Sequence, residues 1–336
     1  MHMADALVSP AVAGTMAIAA GAAAAYSVYK VKKEDDPKKL PLMGVMGAFT
    51  FAAQMINFTI PGTGSSGHIC GGMMLSALLG PYAGFLTMIG VLLIQCLIFS
   101  DGGLLALGCN IWNMAFYGCF IGALLIWKPI MARGCSKKKI FFASITGCII
   151  TLQLGAFSVS LETLASGISE LPFSLFIAVM QPIHLAIGLV EGLITGAVLS
   201  FIFEAQPELL WSAGSDENEI SEAHGRLSYL KTLAVLGVVT ILTGGVLSIF
   251  ASSYPDGLER SMEKVAGTSE LSAVGSVYDA ASKIQESTSI LPDYAFSESE
   301  SALGTSVSGI AGALAVLLLC AAVCYVLRLF LKKKKA

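Results

Sequence analysis

Long apolar runs, broken by short polar and basic stretches, recur along the whole chain. Runs at about 7–29, 41–60, 82–100, 104–127, 140–165, 172–203, 231–252 and 306–330 each approach the ~20 residues that carry an α-helix across a bilayer. The pattern predicts an all-α integral membrane protein. A further stretch, "HICGGMMLSALLG" at 68–80, is apolar, rich in small residues and closed by Gly80-Pro81. It is short for a full crossing and reads as a packed inner helix that starts partway into the membrane. Its small side chains let neighbouring helices approach closely.

The basic residues set the expected topology. They cluster at 30–39, 128–139, 226–231 and 328–335, and the positive-inside rule assigns all four clusters to the cytoplasmic side. Without a crossing at 68–80, Arg133 and Lys137 to Lys139 would fall outside. With it, the chain has nine spans, its N-terminus outside and its C-terminus cytoplasmic. Seventeen of the twenty Lys and Arg residues are then inside, and Arg260, Lys264 and Lys283 are outside. Three parts are expected: a seven-helix bundle, 1–204; a polar cytoplasmic linker, 205–230; and a two-span module, 231–336, holding an external segment, 253–305. That segment is rich in Ser, Glu and Gly, a composition expected to leave it partly ordered.

Composition sharpens this picture in a few places. Of 336 residues, 55% are hydrophobic and 13% charged, against about 25% charged in a soluble domain. The start lacks the basic n-region of a signal peptide, and Lys30, Lys32 and Lys33 read as the cytoplasmic stop of the first run. Met1 precedes a large residue, so its retention with a free amine is expected. The eight cysteines form no Cys-x-x-Cys pair and read mostly as small apolar residues; Cys70, two residues beyond His68, stands apart. No Gly-Lys-Ser/Thr follows the Gly-rich loop, which excludes a Walker-type ATPase. No paired carboxylates or nucleophile–base arrangement points to an enzyme. Nothing calls for nucleic acid, heme or flavin.

The expected topology brings His2, ahead of the first span, and His68, in "PGTGSSGHICGG" at 61–72, to the same external face. Taken alone, each is more often a solvated or loop histidine than a metal ligand. Together they offer the Met1 amine, the His2 main-chain and ring nitrogens and the His68 ring, a four-nitrogen tetragonal set suited to Ni(II) or Cu(II) rather than to the oxygen-seeking Ca2+ or Mg2+. The other intramembrane polar residues are Gln54, Asn57, Gln95, Asn110, Asn113, Gln153, Glu162, His184 and Glu191. Hydrogen bonding between helices is expected of the amides, and packing against Glu191 or an amide of His184. Ala13, Ala17, Gly21 and Ala25 form a small-residue stripe on the first helix, open to either internal packing or a partner subunit.

The sequences "MHMADALVSP", "FAAQMINFTIPGTGSSGHICGG", "LLGP", "FSDGGLLALGCNIWNM" and "IHLAIGLVEGLIT", in this order, resemble the substrate-capture subunit of nickel and cobalt energy-coupling factor transporters, the CbiM/NikM family. Residues 231–336 resemble its companion small subunit, with the Pro-Asp-Gly-Leu-Glu signature at Pro255 to Glu259. The resemblance implies that Met1, His2 and His68 hold a transported Ni2+ or Co2+, with no permanently bound cofactor. It also implies a transmembrane coupling (T) subunit docked on the first helix, two cytoplasmic ATP-binding-cassette ATPases acting through it, and a place in a prokaryotic cell membrane. Gly-Thr-Gly-Ser-Ser-Gly-His stands here where the family's usual loop reads Gly-Thr-Ser-Gly-His. From a different class comes the alternative of a membrane sensor or structural protein acting through its external acidic segment.

Overall fold

The computed structural model describes the chain apart from residues 35, 37, 169–170, 213–226, 270, 297–301 and 333–336. Most of the 205–230 linker lies outside the described residues. Ten helices organise the fold: α1 Pro10–Glu34, α2 Lys39–Gln54, α3 Gly72–Phe99, α4 Leu107–Met131, α5 Lys137–Ser166, α6 Phe173–Ala205, α7 Tyr229–Gly245, α8 Gly257–Ala266, α9 Ser276–Thr288 and α10 Ala302–Lys332. Among the described residues, seven helices are long and apolar enough to cross a membrane. Their exposed leucines, isoleucines and phenylalanines face outward, as expected where lipid is the solvent.

Two regions depart from simple spans. The apolar run at 41–60 stays helical only to Gln54, after which Phe58–Ile60 (β1) pairs antiparallel with Ser65–Gly67 (β2), Ile60 opposite Ser65. Gly62 and Gly64, at φ 78° and 67°, supply the left-handed residues of the connecting turn. The longer Gly-rich loop is thus taken up by a hairpin. The second region is α3, which reverses at Gly80, where φ 78° and ψ 170° lie in a region open essentially only to glycine. Residues 72–79 and 81–99 fold back on each other so closely that a Cβ at Gly84 would stand 3.0 Å from Ser76 Cα. Pro81 reinforces the break, because it cannot donate to the preceding turn. The Trp211 amide donates to the Ala77 carbonyl at 2.8 Å, and the Trp127 indole donates to the Trp211 carbonyl at 2.7 Å, fixing the tip of the reversal.

Small residues occupy the helix crossings, as close approach without a hydrophobic drive requires. Gly72 of α3 meets Gly118 of α4, and Gly188 and Gly192 of α6 meet the backbone of Ile149 and Ile145 on α5. At the contact of α7 with α10, a Cβ on Gly309 would overlap the Gly244 carbonyl. Gly309→Val is therefore expected to push α10 off α7 at a cost of about 1–3 kcal/mol, read as a lowered unfolding temperature in detergent. An unchanged unfolding temperature would contradict this packing.

One end of the bundle carries the ion pairs Lys137–Glu204 and Lys38–Glu208 and the hydrogen bond from the Tyr229 hydroxyl to the Lys38 carbonyl. The opposite end carries His2, the hairpin, α8 and α9. Polar composition suggested partial order for 253–305, yet its described residues form two helices. Asp256 caps α8 by accepting from the Leu258 and Glu259 amides at 2.8 Å each, and the Glu259 carboxylate accepts from the Asp256 amide at 2.9 Å. This reciprocal capping box satisfies the donors a short helix leaves open.

Candidate metal centre

Residues 1–5 sit in a socket formed by the α3–α4 connection. The Met3 amide donates to Asn110 Oδ1 at 2.7 Å, and the Met3 carbonyl accepts from Asn110 Nδ2 at 3.1 Å and from the Gly103 amide at 2.9 Å. Asp5 Oδ1 accepts from the Ala106 amide at 2.9 Å. Gly102 and Gly103 are needed because a Cβ on either would strike Asn110 and His2, or Asp5. Buried backbone groups must find partners, and this socket supplies them for the irregular N-terminal segment.

His68 follows β2 and precedes residues 72–79. The break before Gly72 leaves the Cys70 and Gly71 amides without helical acceptors, and both donate to the buried Glu191 carboxylate at 2.8 Å. His68 Nδ1 donates to the Ile69 carbonyl at 2.9 Å, which leaves the lone pair on Nε2. That nitrogen lies 3.3 Å from the Met1 amine. The His2 and His68 rings stack with centroids 5.3 Å apart. His2 Nδ1 faces Asp101 Oδ1 at 3.1 Å, and Nε2 faces Gln95 Oε1 at 3.2 Å. Met1, His2 and His68 thus meet in space. In this arrangement His2 Nδ1 is turned to Asp101 rather than to the Met1 amine.

Every residue of the Pro-Asp-Gly-Leu-Glu signature has a place here. The Pro255 carbonyl accepts from the Ser66 amide at 2.8 Å, tying α8 to the His68 loop. Asp256 caps α8 through one carboxylate oxygen and accepts from the Met1 amine through the other at 2.6 Å. Gly257 packs against His184, where a Cβ would stand 2.9 Å from Cε1. Leu258 is buried in the core, and Glu259 completes the capping box. Further along, the Tyr294 hydroxyl donates to Asp101 Oδ2 at 2.5 Å, Gln285 Nε2 donates to the Gly102 carbonyl at 2.7 Å, and the Tyr278 hydroxyl donates to the Val8 carbonyl at 3.0 Å.

Above the two histidines lies a cavity of about 750 Å³, walled by both parts of the chain. Its described lining carries Asp5, Asp101, Asp256, Glu259, Asp279 and Asp293 and no lysine or arginine, so its field favours a cation over an anion. His184, expected beside Glu191, instead meets the Met180 carbonyl through Nδ1 at 2.8 Å. Glu191 is committed to the Cys70 and Gly71 amides. No compact group of three or more His, Cys, Asp or Glu side chains of metal-binding geometry occurs among the described residues. A nitrogen set that includes an amine and a main-chain nitrogen is of a different kind.

The charges follow from burial and pairing. Burial, then the Met1 ammonium and the His2 ring, push His68 down to about 3, so Nε2 keeps its lone pair at neutral pH. Burial pushes His2 down as well, against the opposing pull of Asp101. Burial opposes charge on the Met1 amine, yet Asp256 holds that amine above its ordinary 8.0. Burial would also raise Asp256, but the Met1 ammonium holds its carboxyl below the ordinary 3.8. The pair therefore stabilises docking of α8 fully between those two ordinary values. Its contribution fades as pH falls below 3.8 toward the depressed carboxyl value, and as pH rises above 8.0 toward the raised amine value. Protease protection of the external segment is expected to follow that window, and Asp256→Asn to flatten both limbs. An identical pH profile in the variant would contradict the pairing.

The sequence pointed to Met1, His2 and His68, and also to Gln54, Gln95, Asn110 and Glu191 as intramembrane polar residues without assigning their partners. It did not single out Asp101, Asp256 or Tyr294 for the site. The only available signal was that Asp101 falls inside "FSDGGLLALGCNIWNM" and Asp256 inside the Pro-Asp-Gly-Leu-Glu signature.

Residues 2–209 match CbiM, described as the cobalt uptake substrate-specific transmembrane region, and residues 230–329 match the PDGLE domain. A fused nickel transport protein, NikMN, of Archaeoglobus fulgidus is 34% identical over 95% of this chain and 96% of its own. The fused nickel transport protein NikMN of Rhodobacter capsulatus is 30% identical over 62% of this chain and 64% of its own. The crystal structure of a truncated transition metal transporter superposes with a TM-score of 0.54 at 30% identity, covering 61% of this chain and 99% of that one. The chain belongs to the CbiM family of cobalt-uptake substrate-specific transmembrane regions, with a PDGLE domain fused behind it.

Proposed function

We propose that this chain is the substrate-specific component of an ATP-driven energy-coupling factor importer that captures Ni2+, with Co2+ next in preference, and delivers it inward. The Met1 amine, the His2 main-chain nitrogen, His2 Nδ1 and His68 Nε2 are the four donors. As the ion binds, the Met1 ammonium and the His2 amide each release a proton; the Met1 amine and His2 amide nitrogens then close a five-membered ring on the ion, and the His2 amide nitrogen and Nδ1 close a six-membered one. A planar nitrogen set favours Ni2+ over Co2+. The observation that carries this reading is the 3.3 Å approach of the Met1 amine to His68 Nε2 beneath the stacked His2 ring.

The chain divides into a seven-span capture domain, 1–204, a cytoplasmic linker, 205–230, and a two-span module, 231–336, with nine crossings in all. Reversal of α3 at Gly80 supports the extra crossing, and the sixteen residues of α2 supply another with the hairpin above them. The N-terminus then lies outside a prokaryotic cell membrane and the C-terminus inside. Ala17, Gly21 and Ala25 are exposed on α1, which supports docking of a transmembrane coupling subunit there, with two ATP-binding-cassette ATPases beneath it. A separate sensor built on the external segment would leave the histidines apart from that segment. Asp256 and Tyr294 instead bond Met1 and Asp101.

Titration of the purified protein, its Met1 amine unblocked, with Ni2+ and Co2+ tests the proposal. Ni2+ is expected to bind more tightly. His2→Ala and His68→Ala are each expected to lose more than the roughly 10–100-fold that loss of an outer hydrogen-bond partner costs a metal site. Undiminished binding in both variants would overturn the assignment.

A further inference from the structure

The geometry points to the Met1 side chain as a positioning group, seated among α4, α5 and α6 so that the Met1 amine is held toward His68. The inference rests on the capture reading above. Initiation supplies a methionine to any chain, so its presence alone says nothing; its surroundings do. First residues are ordinarily poorly ordered unless something ties them down, yet Met1 is 7% exposed. Its methyl reaches the α5 backbone: a Cβ at Gly155 would stand 2.9 Å from Met1 Cε and 2.6 Å from the Asn113 carbonyl oxygen of α4. Cys70, Met114, Leu152 and Ile187, all buried, line the same recess. The space left beside Met1 is about 10 Å³, no more than one water fills. Met3 is also buried, its Sδ accepting from Asn113 Nδ2 at 3.6 Å. Side chains 1 and 3 therefore enter the bundle, while His2 between them lines the large cavity.

The consequence lies in one bond. The amine and the side chain of Met1 are both carried on Cα, so rotation about the Cα–C bond swings them together. Asn110 clamps Met3 at its amide and its carbonyl, which leaves the Met1 Cα–C bond as the joint nearest the amine. A seated side chain stops that joint, and the amine stays 3.3 Å from His68 Nε2 and 2.6 Å from Asp256 Oδ2. Fixing a donor in place before the ion arrives removes an ordering cost from binding. An unbranched, flexible side chain suits an irregular recess, and Gly155 supplies the room. The seat reads shape, and the sulfur is not a donor to the ion.

Release from an N-terminal fusion by site-specific proteolysis gives Met1→Ala with its amine free, beside a methionine control released in the same way. Initiation with norleucine in cell-free synthesis keeps the side chain's length and removes its sulfur. Met1→Ala is expected to weaken Ni2+ binding by about 10–100-fold, the range for losing a group that orients a metal ligand. In metal-free protein the displaced amine should also release Asp256, read as faster proteolysis of the external segment. Norleucine should restore both. In a protein that binds Ni2+, either readout left unchanged by Met1→Ala would overturn the seat. Norleucine behaving like alanine would overturn it too, by assigning the effect to the sulfur. A methionine control that shows no Ni2+ binding, with proteolysis still split as expected, would leave the seat standing and defeat the capture reading.

Discussion

One residue added ahead of Met1 is expected to abolish high-affinity Ni2+ binding. The extension converts the terminal amine into a peptide nitrogen and moves the new amine beyond reach of His68 Nε2, from which the present one lies 3.3 Å away. It also removes the cation that Asp256 holds at 2.6 Å, leaving that half-buried carboxylate with the α8 amides alone. The extended protein should therefore also show a loosened external segment. Nickel titration and limited proteolysis read the two effects separately. Unchanged affinity in the extended chain would sink the amine as a ligand.

Glu191→Ala is expected to have the largest effect on stability. Its carboxylate is the acceptor for both the Cys70 and the Gly71 amides, at a depth where no bulk water can replace it. Each amide left unpaired costs about 1–3 kcal/mol, and the two together would loosen both the His68 loop and the start of residues 72–79. Low yield of folded protein and loss of Ni2+ binding are expected together. Glu191→Gln retains one acceptor oxygen and should recover part of both. An alanine variant that melts and binds nickel like the wild type would remove Glu191 from this role.

The convergence of His2 and His68 was legible because it needs only a topology, and lysine positions report topology. The pairing of Asp256 with Met1 was not, since it spans 255 positions of sequence and depends on how α8 docks. Gln54 and Gln95 were visible as amides in apolar runs, but which carbonyl each meets is set by the pairing of α2 with α3. His184 was expected to pack against Glu191 or an amide. The open amides before Gly72 drew the carboxylate away, and no feature of residues 184–191 signals that. Composition did not signal the helices among the described residues of the external segment, because their stability comes from a capping box and from contacts to Asp101, Gly102 and Val8, which local polarity does not report. The helix expected over 41–60 ends at Gln54 because the residues that follow it, Phe58–Ile60, pair with Ser65–Gly67 in the hairpin.

The central claim is that a single ion is held by nitrogen atoms from Met1, His2 and His68. X-ray absorption spectroscopy of the nickel-loaded protein tests it most directly. The account predicts a four-coordinate planar Ni2+ ringed by light N/O scatterers, with the outer-shell signature of two imidazoles that falls to one in His68→Ala. A six-coordinate oxygen-rich shell, or a sulfur neighbour from Cys70, would contradict it.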